Sequence, residues 1–210
     1  MLKQLKISIK ITLVTLVIVS FAYPAIIFVI AQIAFPKQAN GSLVRDSSGT
    51  IVGSALLGQN FAKAQYFQPR PSAAGNGYDP TQSGGTNLGP TSDKLINGTP
   101  KLINGKPNPS YFEGVKNLAD DYRATNGLPA GAAVPVDAVT RSASGLDPDI
   151  SPENAALQVA RVAKARGVDA ATIQTVVDQN TEQRDLGFLG EPRVNVLLLN
   201  LAIDSKYPAK

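Results

Sequence analysis

"SPENAALQVARVAKARGVDAATIQTVV", residues Ser151 to Val177, decides the fold of the larger part of this chain. Ser151 brings a hydroxyl that accepts from an orphan N–H of a first helical turn, and Pro152 pre-sets φ at the first helical position. Glu153 lies where the helix dipole favours an acid. A helix is therefore expected up to Arg166, with Gly167 ending it. Ala155, Val159, Val162 and Ala163 share one face and read as core. Asp169 can cap a second helix that buries Ile173, Val176 and Val177, and the short link makes the two a helical hairpin.

Downstream, "RVNVLLLNLAID" satisfies both the strand and the helix period. Pro192 is well placed to start a helix, and a helix is expected. Upstream, Asp137, Asp147 and Asp149 bracket "VTRSASGLDPDIS". Three carboxylates invite comparison with a calcium loop, but the alternating acids and terminal bidentate Glu are missing. Asp147 before Pro148, beside Ser144-Gly145, reads as a turn. A further helix is expected over about Tyr111 to Asn126, ended by Gly127 and Pro129.

Residues 67–108 are rich in Gly, Pro, Asn and Ser, so no regular element of length is expected there. "KLINGTP" from Lys94 is followed at once by "KLINGKP" from Lys101, a duplication whose period is too short for a solenoid and which reads as surface loop. The same region holds "SGGTNLGPTS", Ser83 to Ser92. Its spacing is not that of a Walker-type phosphate loop, and Pro90 removes an N–H where donors are wanted. Before it, "GSLVRDSSGTIVGSALLGQ" reads as strands Ser42 to Arg45 and Thr50 to Leu57 around the turn Asp46-Ser47-Ser48-Gly49.

From Ile11 to Pro36 there is no charged residue, a run longer than the ~20 apolar residues that cross a bilayer. Pro24 should kink the span. A cleaved signal peptide ending near Ser20-Phe21-Ala22 is the competing reading, but the apolar run continues well beyond a signal h-region. Lys3, Lys6 and Lys10 precede the span with no acid among them, which places residues 1–10 in the cytoplasm, 11–36 in the membrane and 37–210 outside. Removing those three lysines from the 20 basic residues leaves 17 against 16 acidic ones, so the outer part is nearly neutral and gives no sign of a nucleic-acid partner. The fold class expected is α+β: one N-terminal transmembrane helix followed by a single extracytoplasmic domain with a β-hairpin and a helical hairpin.

The chain contains neither Cys nor His, which excludes disulfides, thiolate or imidazole metal sites and histidine-based catalysis. Carboxylate chemistry, a Ser/Lys dyad or no catalysis remains. Ser72, Ser83, Ser142 and Ser144 are candidate nucleophiles for a membrane-anchored hydrolase, although no spacing singles out a lysine. Arg70, held between two prolines, and Arg161 and Arg166 on the first hairpin helix can dock a carboxylate bidentately or form structural ion pairs. Tyr66 and Phe67 are buried anchors or partner contacts. A free-standing anchored binding module is a further alternative.

Six blocks in order resemble one family, the C subunit of the Kdp-type potassium-transporting P-type ATPase. They are "GSALLGQNF" from Gly53, "YFQPRPSA" from Tyr66, "SGGTNLGPT" from Ser83, "VPVDAVTRSASGLDPDISP" from Val134, "AALQVARVAKARG" from Ala155 and "GEPRVNVLLLNLA" from Gly190. Thr86 stands where the pattern has serine, and 94–127 is longer than usual. The resemblance implies a non-catalytic subunit in the inner membrane of a bacterium. Its partners would be a channel-like potassium-binding subunit, an ATP-hydrolysing subunit and a small membrane subunit, with ATP and potassium handled by the complex and no cofactor of its own. It further implies a catalytic chaperone that raises ATP affinity, with Gln158 as the glutamine proposed to touch nucleotide; the orientation read from the lysines puts Gln158 across the membrane from cytoplasmic ATP. In this setting Tyr66, Phe67, Arg70, Ser83, Gly84, Gly85, Asn87, Arg161 and Arg166 are the candidate partner contacts, and the glycines of the loop serve backbone conformation.

Overall fold

The computed structural model describes residues 1–208. The chain divides into two compact units, Met1–Val44 and Arg45–Lys210. In the first, α1 (Leu2–Val17) continues through a π-helical turn (Ile18–Ala22) into α2 (Tyr23–Ala34), and a single turn, α3 (Pro36–Ala39), follows. Where a kink is expected at Pro24, a π-helical turn lies just before it. Proline has no N–H to donate and its ring crowds the carbonyl of Ser20, so the ladder widens and Tyr23 N–H reaches back to Ile18 C=O. Leu2–Ala34 is a helix long and apolar enough to cross a membrane. Its 33 residues reach about 50 Å at ~1.5 Å each, so it outruns a hydrocarbon core of ~30 Å.

The second unit begins within a hairpin of β1 (Leu43–Arg45) and β2 (Ile51–Ser54). Its turn is tied as expected: Asp46 accepts from Ser48 Oγ and from the N–H groups of Ser48 and Thr50. The hydroxyl of Ser48, with the backbone donors behind it, holds the Asp46 carboxyl below its usual range. In 67–108 the longest regular element is the five-residue helix α4 (Asp93–Asn97). The hairpin β3 (Leu102–Ile103) and β4 (Lys106–Pro107) closes that stretch.

Helix α5 (Val115–Asn126) starts later than 111 because Phe112 is held in an extended pairing. Thr99 N–H donates to Phe112 C=O at 2.8 Å, and Phe112 N–H donates to Thr99 Oγ1 at 2.7 Å. Gly127 ends α5 in the left-handed conformation. A short helix α6 (Val136–Val139) packs its Ala138 and Val139 with Tyr122 of α5 into a small secondary core.

The hairpin of α7 (Pro152–Arg166) and α8 (Ala170–Gln179) forms where expected, with Ser151 Oγ accepting from Asn154 N–H, Gly167 at φ 65° and Asp169 capping α8. The C-terminal segment corrects the expectation of a helix from Pro192. Residues Arg193–Asn195 form β7, the middle strand of a sheet ordered β5 (Asp149–Ile150), β7, β6 (Thr181–Glu182), all antiparallel. Helix α9 (Val196–Lys206) begins only after it, with Asn195 Oδ1 accepting from Leu198 N–H. The strand takes only the first three residues of the ambiguous segment, and the apolar alternation over Leu197 to Ile203 lies within the helix. Val194, Val196, Leu199 and Ile203 pack with Val159, Val162, Ile173, Val177, Ile150 and Phe67 in the main core.

Candidate functional site

A strap of residues 64–68 has no strand partner, yet its backbone is bonded by side chains of α7 and α9. After the turn at 64–65, Phe67 and Gln68 aim their N–H and C=O groups at opposite edges, as neighbours in extended chain do. Asn200 of α9 takes one edge: its Oδ1 accepts from Phe67 N–H at 2.8 Å and its Nδ2 donates to Phe67 C=O at 3.0 Å. Gln158 of α7 takes the other, with Oε1 accepting from Gln68 N–H at 2.7 Å and Nε2 donating to Gln68 C=O at 3.1 Å. Two carboxamides thus stand in for the missing β-strands.

Gln158 is wholly buried, and its remaining capacity is also used. Nε2 donates to Asn154 Oδ1 at 2.9 Å and Oε1 accepts from Arg161 Nη2 at 2.6 Å. A carboxamide offers two donor hydrogens and two acceptor lone pairs, and all four are committed inside the fold. Asn154 extends the network: its Oδ1 accepts from Tyr122 Oη, and its Nδ2 donates to Asp137 Oδ2. Asp137 also takes Ser151 N–H and Ser151 Oγ, which ties α6 to the start of α7. Burial pushes the Tyr122 phenol up, with the Asp137 charge acting in the same direction.

The two helix arginines serve the same strap. Arg161 Nη1 donates to the carbonyls of Ala64 and Tyr66, and its Nε donates to Asn126. Arg166, whose side chain is fully buried, donates to Gln65 C=O and Tyr207 C=O and forms a 2.8 Å ion pair with Asp204. Tyr66 Oη donates to the other oxygen of Asp204, and the Arg166 guanidinium stacks over the Tyr66 ring at 5.2 Å. Phe67 is fully buried in the main core and Arg166 nearly so. Of the candidate contacts, these two are framework in the fold and present no surface to a partner.

Beyond the strap, Arg70 pairs with Asp147 at 2.7 Å. Asp147 Oδ1 accepts from Asp149 N–H, the side-chain-to-backbone turn expected at Pro148. Burial, and then the neighbouring Asp147, push the Asp149 carboxyl up. Ser72 Oγ donates to Gly145 C=O and accepts from Ala74 and Tyr78 N–H groups, while Tyr78 Oη donates to Arg70 C=O. Burial raises the Tyr78 phenol to about 12.

The glycine-rich loop docks on the same turn. Gly84 N–H and Ser83 Oγ both donate to Ser144 C=O. A Cβ on Gly85 would sit 2.9 Å from Ala143 C=O, so the close approach needs glycine. Ser83 and Asn87 are exposed, with Asn87 at φ 52°. The four serines offered as nucleophiles are engaged here: Ser72 and Ser83 as above, Ser144 Oγ with Leu146 N–H and with Ser142 Oγ.

Sequence reasoning missed Asn154, Asn200, Asp137, Asp204 and Tyr78 as members of this network. A signal was present for Asn200, the single amide inside "VLLLNLAI". A polar residue on an otherwise buried face is the informative exception.

A family model described as the c chain of the K+-transporting ATPase, KdpC, matches residues 5–205. The chain belongs to the KdpC family. It is 49% identical over 193 residues to the potassium-transporting ATPase KdpC subunit of Caulobacter sp. (strain K31), covering 92% of this chain and 89% of that one. The Myxococcus xanthus KdpC subunit is 48% identical, over 95% of this chain and 87% of the relative. That of Geobacter sulfurreducens is 44% identical, over 99% and 100%. The KdpC match covers the N-terminal helix, the strap, the docked loop and the helical hairpin together.

Proposed function

We propose that the chain is the accessory C subunit of an ATP-driven potassium-uptake complex and that its C-terminal unit is a docking body, with catalysis and ion selection on other subunits. Membership of the KdpC family along almost the whole chain carries the reading. The N-terminal helix anchors the subunit in the inner membrane of a bacterium, next to the channel-like, ATP-hydrolysing and small membrane subunits. Lys3, Lys6 and Lys10 support a cytoplasmic N-terminus and an extracytoplasmic C-terminal unit.

Gln158 acts as a strut for the strap and does not touch nucleotide: its four hydrogen-bonding positions are filled by Gln68, Asn154 and Arg161. An influence on ATP affinity then reaches the hydrolytic subunit as a coupling free energy through assembly, which requires no contact. The exposed parts of the docked loop, Ser83 and Asn87, and the partly exposed Tyr66, Arg70, Gly84, Gly85 and Arg161 edge a body that caps the potassium entrance of the channel-like subunit.

The test has two arms. The chain, co-expressed with the other subunits of a potassium-transporting ATPase, is expected to leave the membrane with them in mild detergent and to restore growth at low potassium to cells lacking their own C subunit. Single cysteines at Ser8 and at the exposed Lys164 in this cysteine-free chain then report orientation. Labelling of Lys164→Cys in intact cells by an impermeant thiol reagent supports the outer domain; labelling there only after permeabilisation overturns it.

A further inference from the structure

The connection between β6 and β7 is a braced finger with an apolar tip, used by neither the core nor the strap. Glu182 pairs with Arg193 at 2.7 Å, and Arg184 pairs with Glu191 one step farther out at 2.5 Å. Asp185 and Leu189 then bridge as an antiparallel pair, and Phe188 N–H donates to Asp185 C=O to close the turn. The two central residues, Leu186 and Gly187, have φ of 54° and 83°. Positive φ at both is the type I′ pattern, in which Asn, Asp and Gly are the residues that fit. Leucine bears a steric cost there.

Burial among the described residues does not offset that cost. Leu186 is 83% exposed, Phe188 69% and Leu189 49%. Three large apolar side chains are held outward on a hydrogen-bonded turn, where a soluble hairpin would gain from a polar tip.

Charge indicates what covers them. The four charged side chains of the shaft neutralise one another in two pairs, and the charge left at the tip is the acid Asp185. A loop that lies in a lipid interface pairs its apolar residues with lysine or arginine free to meet headgroups; this finger has none to spare. An apolar anchor on a stem with no unpaired cation is the chemistry that fills a dry pocket on another protein.

We propose that Leu186, Phe188 and Leu189 form a docking finger that inserts into an apolar pocket of another subunit of the same transport complex. The proposal rests on the complex membership put forward above. The ion pairs Glu182–Arg193 and Arg184–Glu191 and the Asp185–Leu189 bridge shape the hairpin that carries the tip.

The test uses the full chain co-expressed with its complex. Leu186→Asn with Phe188→Ser removes the anchor while giving the turn a residue it prefers, so the melting temperature of the chain alone is expected to stay the same or rise. Recovery of the variant with the other subunits in mild detergent is expected to fall about tenfold or more, as for the loss of a central anchor. A benzophenone amino acid at position 188 is expected to cross-link to a protein of the complex. Cross-linking to lipid alone, no cross-link, or a variant that assembles like the wild type overturns the finger. Failure of the wild-type chain itself to co-purify overturns the complex membership first, and is distinguishable because it precedes any substitution.

Discussion

Replacing Gln158 by methionine keeps the chain length and removes all four hydrogen bonds. Two partners retain others: Asn154 Oδ1 keeps the Tyr122 hydroxyl, and Arg161 keeps Asn126, Ala64 and Tyr66. The N–H and C=O of Gln68 are left without a partner. A buried polar group so orphaned costs about 1–3 kcal/mol. Gln68 is only partly buried, so water reaches it and the sum falls to about 2–4 kcal/mol. For a unit of this size that lowers the melting temperature by roughly 5–15 °C. Asn200→Leu, branched alike at Cγ, does the same to Phe67, which is fully buried, and is expected to cost at least as much. Calorimetry of the detergent-solubilised full chain gives the stabilities, and ATP titration of the assembled complex gives the affinities. A strut predicts that both variants destabilise and that any change in ATP affinity is shared. Gln158→Met weakening ATP binding tenfold with under ~1 kcal/mol of destabilisation, while Asn200→Leu leaves ATP binding alone, refutes the strut.

Gly145→Ala is expected to cost about 2–4 kcal/mol, because its φ is 69° and the added Cβ would lie 2.7 Å from Gly84 C=O and 2.8 Å from Ala74 N. Limited proteolysis should then cut within residues 75–92 faster than in the wild type, whose glycine-rich loop is docked on Ser144. Burial, then a hydrogen bond to Asp121, raise the Glu113 carboxyl. A raised folded-state pKa means that stability is greatest below the ordinary carboxylate range and falls as pH rises through the folded value. Glu113→Gln should therefore raise the melting temperature at pH 7 by a few degrees at most, the group being largely solvent-screened, and should do less at pH 4. Thr99→Val removes the Oγ1 that accepts from Phe112 N–H and donates to Ser110 C=O. It should cost about 1–2 kcal/mol, with amide exchange faster at Phe112 and in α4.

What the sequence determined by itself was set within a few residues. Ser151, Pro152, Glu153, Gly167 and Asp169 cap and time two helices because caps and dipoles act over one turn, and the apolar faces they enclose are buried as the period requires. The apolar N-terminal helix was legible for the same reason: its identity depends on its own length and composition. Tertiary structure decided the rest. The pentapeptide KLING is a helical turn at Lys94–Asn97 and a hairpin turn at Asn104-Gly105, the same residues adopting two conformations under different long-range bonds. Pro192 did not start a helix because Val194 was worth more as the buried centre of a sheet. The roles of Gln158 and Asn200 were hidden because their partners lie 90 and 133 residues away along the chain. A carboxamide on an apolar helix face looks alike whether it awaits a ligand or already holds a backbone; only packing brings Phe67 and Gln68 between the two helices and fills its bonds.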